Sequence, residues 1–133
     1  MSTRDFNDDG HCFVCGRDNP AGLGLEFRDH GQEVEAGVSF PDHLQGWKET
    51  VHGGLLATVL DETMIKAAAA QDIKCVTAEI TVKYKAPAST GVRYRVLGKV
   101  LESHGRMVMA EASVVDESGR VYAQATGKLF KVR

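Results

Sequence analysis

His52, Gly53, Gly54 and Asp61 fall within one short stretch, Val51-His-Gly-Gly-Leu-Leu-Ala-Thr-Val-Leu-Asp-Glu62, and together they could do chemistry at a carbonyl. The spacing predicts that His52 and the glycine pair sit where a loop becomes a helix. There the first N–H groups lack intrahelical acceptors, and the helix dipole favours negative charge. Glycine has no Cβ, so a ligand oxygen can come close to those N–H groups. Such a site would hold the oxyanion formed when a carbonyl is attacked. A glycine pair alone also fits a plain helix start with a capping histidine.

Asp61 adds a second ingredient. Glu62 has Lys66 four residues on as a partner. Around Asp61 stand Ile65 and Ala57, with only Thr58 in reach. A carboxylate without a cation on a mostly apolar helix should be partly desolvated, which suits a general base or a nucleophile. The plainer alternative is a solvated stripe of Thr58, Asp61, Glu62 and Lys66.

The elements that must position these residues follow from periodicity. A helix is expected from Gly53 to Ala70, because Leu55, Leu56, Val59, Leu60, Met64, Ala67 and Ala68 recur at three and four residues. Ala57 and Ile65 widen the stripe to most of the circumference, so the helix should be buried. Before it, strand-like runs at Leu23–Arg28 and Val34–Phe40 flank a His30-Gly31 turn, and Pro41 to Val51 reads as a loop carrying Trp47. After it, from Cys75, the pattern becomes period two and stops near Pro87. Ser89-Thr90-Gly91, His104-Gly105 and Glu117-Ser118-Gly119 then mark turns into strands Val92–Leu101, Arg106–Val115 and Arg120–Val132. Short turns imply antiparallel neighbours. The pattern is an α+β sandwich: two strands, one buried helix, four long strands.

The 133 residues fit one domain, with 1–10 as a polar, disordered tail and 11–133 as the folded unit. No apolar run reaches the length of a membrane span and the start lacks a signal peptide's apolar stretch, so neither membrane nor secretion is expected. Three cysteines are too few for a disulfide framework, which points to a reducing cytoplasm. The net charge of −2 gives no reason to expect nucleic acid. That total hides an asymmetry: residues 1–73 carry 5 Lys/Arg against 13 Asp/Glu, residues 74–133 carry 11 against 5. Either the later strands have a basic solvent face, or they meet an anionic partner.

The His52-Gly53-Gly54 run with an acid nine residues after the histidine resembles the active-site helix of hotdog-fold acyl-CoA thioesterases of the PaaI type. The strand Val76-Thr77-Ala78-Glu79-Ile80-Thr81-Val82-Lys83-Tyr84, the Gly119 to Ala123 run and Thr126-Gly127 are similar to that family too, and the likeness spans roughly residues 23–132. The resemblance implies a long antiparallel sheet around a central helix and hydrolysis of an acyl-CoA thioester to acid and CoA. It implies that Asp61 activates water or attacks, that the Gly53 N–H holds the oxyanion with Gly54 supporting the turn, and that His52 positions the carbonyl or the leaving thiolate. Thr77 matches a Ser/Thr that orients the water. The active site would lie between subunits of a homo-oligomer, a dimer or a dimer of dimers, with Asp61 of one subunit facing Gly53 and Thr77 of another.

The family often has Asn or Gln six residues before the histidine. Here that position is Gly46, and Gln45 beside it is the candidate replacement. Trp47 is a candidate substrate contact. Lys83, Lys85, Arg93, Arg95, Lys99, Arg106 and Lys128 could meet the phosphates of CoA, with Arg106 preferred. Phe40, Leu44, Val59, Leu60 and Met64 fit an acyl pocket and a core equally well. No cofactor is implied. A non-catalytic acyl-CoA-binding module on the same fold is the alternative.

Cys12-x-x-Cys15 beside His11 raises a structural zinc, which needs four ligands; no second Cys-x-x-Cys or His pair follows, so no metal is assigned. The expected reading is an ordered turn covering the substrate channel or a subunit edge, and a similar opening occurs in a subset of PaaI-like thioesterases. Asp18-Asn19-Pro20 lacks the following histidine of hotdog hydratases and precedes the first strand, which argues against that reading.

Overall fold

The computed structural model describes residues 6–132. Six strands form one sheet: β1 (Arg28–Asp29), β2 (Glu33–Ser39), β3 (Cys75–Tyr84), β4 (Arg93–His104), β5 (Met107–Val115) and β6 (Val121–Lys131). Their order is β1-β2-β4-β5-β6-β3, and every neighbouring pair is antiparallel. The one α-helix among the described residues, α1 (Gly53–Ala69), lies across this sheet; Leu55, Leu56, Val59, Leu60, Thr63, Met64, Ala67 and Ala68 are buried, and the flank carrying Thr58, Asp61, Glu62 and Lys66 is half-buried. The helix is too short and mixed to cross a membrane, as is every helix among the described residues.

Strand alternation builds the floor of the core. Tyr94 and Val96 of β4, Val108, Ala110, Ala112 and Val114 of β5, and Ala123, Ala125 and Leu129 of β6 are all buried. The registers place Gly98 opposite Ala112, Ala112 opposite Ala125, and Ala110 opposite Gly127. This small-residue patch is where α1 crosses. A Cβ on Gly98 would stand 2.6 Å from the Thr63 methyl, and one on Gly127 would stand 2.9 Å from the end of Met64. Thr63, polar in sequence, is therefore completely buried, and its hydroxyl is satisfied by the Val59 carbonyl at 2.7 Å.

Two expectations are corrected. The run 23–28 does not form a strand beyond Arg28–Asp29. Gly24 takes a left-handed φ of +66°, and the Leu23 and Leu25 N–H groups bond to the Phe13 and Val14 carbonyls instead of to the sheet. Also, β3 and β4 are not neighbours despite the short Ser89-Thr90-Gly91 turn. β3 pairs only with β6 at the far edge, and the connection crosses over to reach the middle of the sheet. That connection is stitched to the segment before α1: Val51 N–H bonds to Ala88 O, Thr90 N–H to Glu49 O and Gly91 N–H to Phe40 O. Of the tail expected at 1–10, residues 1–5 lie outside the described residues; residues 6–10 have no regular secondary structure.

The contact between helix and sheet can be tested directly. Gly98→Ala should destabilise the fold by about 1–3 kcal/mol in urea denaturation, because Thr63 and the Glu111 carbonyl leave the added methyl no room. Gly127→Ala should cost less, since the end of Met64 is flexible and can move. Equal losses in the two variants would contradict this account.

Candidate functional site

Loop and helix meet at His52. Its backbone is extended (φ −60°, ψ 131°), which makes it the N-cap of α1, and its Nδ1 accepts the Gly54 N–H at 2.9 Å. The imidazole thus takes the role of a capping side chain and satisfies one orphan donor. A Cβ on Gly54 would stand 3.2 Å from that Nδ1, so glycine leaves the ring in place. A Cβ on Gly46 would stand 3.4 Å from the His52 Cα, so this position also packs against His52.

The Gly53 N–H has no acceptor among the described residues. The Gly53 carbonyl accepts a hydrogen bond from the Tyr84 hydroxyl at 2.7 Å. Tyr84 therefore fixes the first turn of α1 from the end of β3. Nothing in its spacing distinguishes it from the other strand residues. Its signal is structural: half-exposed on the strand face that turns toward the helix, it spends its hydroxyl on a helix terminus.

Asp61 lies two turns further on and is half-buried. Its Oδ1 accepts the Thr77 hydroxyl at 2.5 Å, and among the described residues Oδ2 has no donor. Thr77 stands where β3 breaks register against β6, between Thr77 and Glu79, a bulge that re-aims side chains. Here the threonine holds the carboxylate of its own chain, which corrects the expectation that Thr77 groups with Gly53 and faces Asp61 from another subunit. Gly53 and Asp61 are eight residues apart on one helix, so they stand about 12 Å apart along its axis.

The remaining sequence candidates are more dispersed. Gln45 uses its Oε1 to accept the Glu49 N–H at 3.0 Å within the loop before the helix. Trp47, at the tip of that loop, is 84% exposed. Arg106 lies in the β4–β5 turn, its carbonyl bonded to the Lys131 N–H, at the sheet end away from Gly53 and Tyr84. Arg95, Lys99 and Lys128 are engaged by Glu35, Glu111 and Glu79. Phe40, Val59, Leu60 and Met64 are wholly buried and fill the core. A broad surface hollow lies elsewhere, between the amino-terminal segment and Arg28 and Lys66.

A further cluster stands beside Asp61. Cys15 and Cys12 direct their thiols at the Glu62 carboxylate, at 3.0 and 3.6 Å. Lys66, the partner expected for Glu62, is 3.9 Å away. Burial, reinforced by hydrogen bonds to Glu62 and Cys12, pushes the Cys15 thiol up to about 12.

One helix packed on a six-stranded antiparallel sheet is the hotdog fold, and solved structures agree. A thioesterase superfamily protein of known crystal structure superposes with a TM-score of 0.86 over 92% of this chain at 24% identity, and this chain spans 61% of its length. The PaaI protein of the E. coli phenylacetic acid degradation operon gives a TM-score of 0.76 at 16% identity, over 81% of this chain and 83% of that one. A hypothetical thioesterase from Streptococcus pneumoniae, solved with coenzyme A, gives 0.76 at 16% identity over 81% and 88%. Variants of that protein with an aspartate or a threonine changed to alanine share the fold. A comparison with curated proteins finds no match. The sequence signature of the thioesterase superfamily covers residues 48–123, more than half of the chain. The chain belongs to the thioesterase superfamily.

The Cys15 environment has a consequence in pH. Its folded value lies above the ordinary thiol value of 9.0, so this thiol stabilises the fold below that pH and the contribution is lost as pH rises toward about 12. With chelator and reductant present, the alkaline limb of stability should be flatter in Cys15→Ser than in wild type. Coincident limbs would contradict the assignment.

Proposed function

We propose that the chain hydrolyses acyl-CoA thioesters as a homo-oligomer, with Asp61 of one subunit and the Gly53 N–H of another acting on the same carbonyl. The observation that carries this reading is the pairing of a threonine-held carboxylate with a free helix-terminal N–H on one rigid helix. Reacting groups must approach within about 3–3.5 Å, and about 12 Å of helix separates these two in one chain. A second α1 running alongside in the opposite direction would bring one chain's Asp61 to the other's Gly53.

The chemistry then follows. Water between Asp61 and the thioester gives a proton to the free Oδ2 as its oxygen attacks the carbonyl carbon. The oxyanion is held by the Gly53 N–H at the positive end of the helix dipole. Collapse breaks the C–S bond, and the proton returns from Asp61 to the sulfur of CoA. Thr77 orients the carboxylate for this exchange. His52, through its bond to Gly54, keeps the glycine turn open for the carbonyl. Gln45 and Trp47 flank the entrance on the preceding loop, and Arg106 would meet a phosphate of CoA.

Two features of the S. pneumoniae protein support this reading. It was solved with coenzyme A, and its altered aspartate and threonine are sixteen positions apart, the separation of Asp61 and Thr77 here.

Thiol release from short, medium, long and aromatic acyl-CoAs provides the test. Asp61→Asn should lower kcat at least about 100-fold. Gly53→Pro removes the N–H at the first helical position, where proline is tolerated and where the extended His52 backbone suits a following proline. It should therefore fold normally while losing about 100–1000-fold in kcat. Turnover that survives Asp61→Asn would overturn the mechanism. Binding of acyl-CoA by wild type without any turnover would make the chain a binding module instead.

A further inference from the structure

The amino-terminal Cys-x-x-Cys turn is built with more care than a surface cover needs. The Val14 and Cys15 N–H groups both point at the Cys12 sulfur, at 3.4 and 3.5 Å, and the Gly16 N–H closes the turn on the Cys12 carbonyl at 2.9 Å. A Cβ on Gly16 would lie 2.4–2.6 Å from backbone atoms of Cys12 and Gly10, so only glycine permits this curl. The turn delivers both sulfurs to one carboxylate oxygen of α1, and the Cys12, Cys15 and Glu62 ligand atoms all lie within 4.8 Å of one another.

We propose that Cys12, Cys15 and Glu62 form a zinc site that clips the amino-terminal segment to the catalytic helix. Zinc takes thiolate at about 2.3 Å and carboxylate oxygen at about 2.0 Å in a tetrahedron, which sets sulfur–oxygen edges at about 3.5 Å. The two such separations here are 3.6 and 3.0 Å, so the ion fits with small adjustments. Binding replaces the two thiol protons, which leave to solvent. A dication held by two thiolates and one carboxylate retains one negative charge, and Lys66 at 3.9 Å from Glu62 is placed to balance it. The fourth position opens on a hollow lined by Asp8 and His11, where water or His11 completes the set. Soft sulfur donors select zinc over magnesium or calcium. The sequence alone supplies two of these ligands; the third comes from a helix fifty residues away, where Glu62 reads as a partner of Lys66.

The test uses tag-free, reduced full-length protein, first stripped with chelator and then titrated with zinc against a chromophoric chelator. One zinc should bind per chain, with calcium and magnesium ineffective. Cobalt(II) should give an intense thiolate charge-transfer band that disappears in Cys12→Ser and Cys15→Ser. Glu62→Gln retains both thiols, so it should keep the band while weakening zinc binding by about tenfold or more. Zinc should raise the melting temperature of wild type but not of the Cys12→Ser and Cys15→Ser variants. Equal zinc uptake by wild type and the Cys12→Ser/Cys15→Ser double variant, or a wild type without the cobalt band, would overturn the site. Should the serine variants not fold, the cobalt spectrum of wild type and the Glu62→Gln titration still decide the matter. None of these results depends on thioester hydrolysis, so failure here leaves that reading intact.

Discussion

How closely α1 can lie on the sheet governs everything else in this molecule. Ala110, Ala112 and Ala125, with Gly98 and Gly127, clear a shallow bed across three strands, and Thr63 and Met64 settle into it. With larger residues the helix would ride higher, and Asp61 would lose its reach to Thr77 on β3. The crossover from β3 to β4 bonds through its backbone to Val51 and so fixes the loop that ends at His52. The geometry of the candidate site is therefore a packing outcome: a hydroxyl on an edge strand, a carboxylate mid-helix and the first N–H of the helix are held by one buried contact.

The sequence is most legible where one period dominates. The helix over Gly53–Ala69 and the strands from Cys75 onward follow from spacing alone, because each buries a continuous face. It is less legible where partners are distant. The order of β3 in the sheet depends on backbone bonds from residues 88–91 to residues 40–51, and no local pattern encodes them. Likewise Leu23–Phe27 looks extended, yet its N–H groups go to the Cys12–Cys15 turn region once Gly24 bends left-handed.

The site divides along the same line. His52, Gly53, Gly54 and Asp61 lie at the start of or along one helix, so their types and spacing mark them as candidates. Thr77 emerges through family likeness, and the hydroxyl–carboxylate bond to Asp61 explains why a threonine belongs there. Tyr84 and Glu62 stay hidden, since each acts through a partner 31 or 47 and more residues away. Charge behaves similarly. The basic excess of the second half is real, but Arg95, Lys99 and Lys128 are already paired with glutamates, which narrows the cations free to meet an anion.

The central claim is that one reaction site takes its carboxylate and its oxyanion donor from different chains. Co-expression of Asp61→Asn with Gly53→Pro, each carrying a different affinity tag, allows the mixed assembly to be isolated. In such a dimer one site keeps both groups and the other keeps neither. The mixed species should recover about half of the wild-type thioesterase rate, while each parent variant stays inactive. A mixed assembly as inactive as its parents would contradict the account.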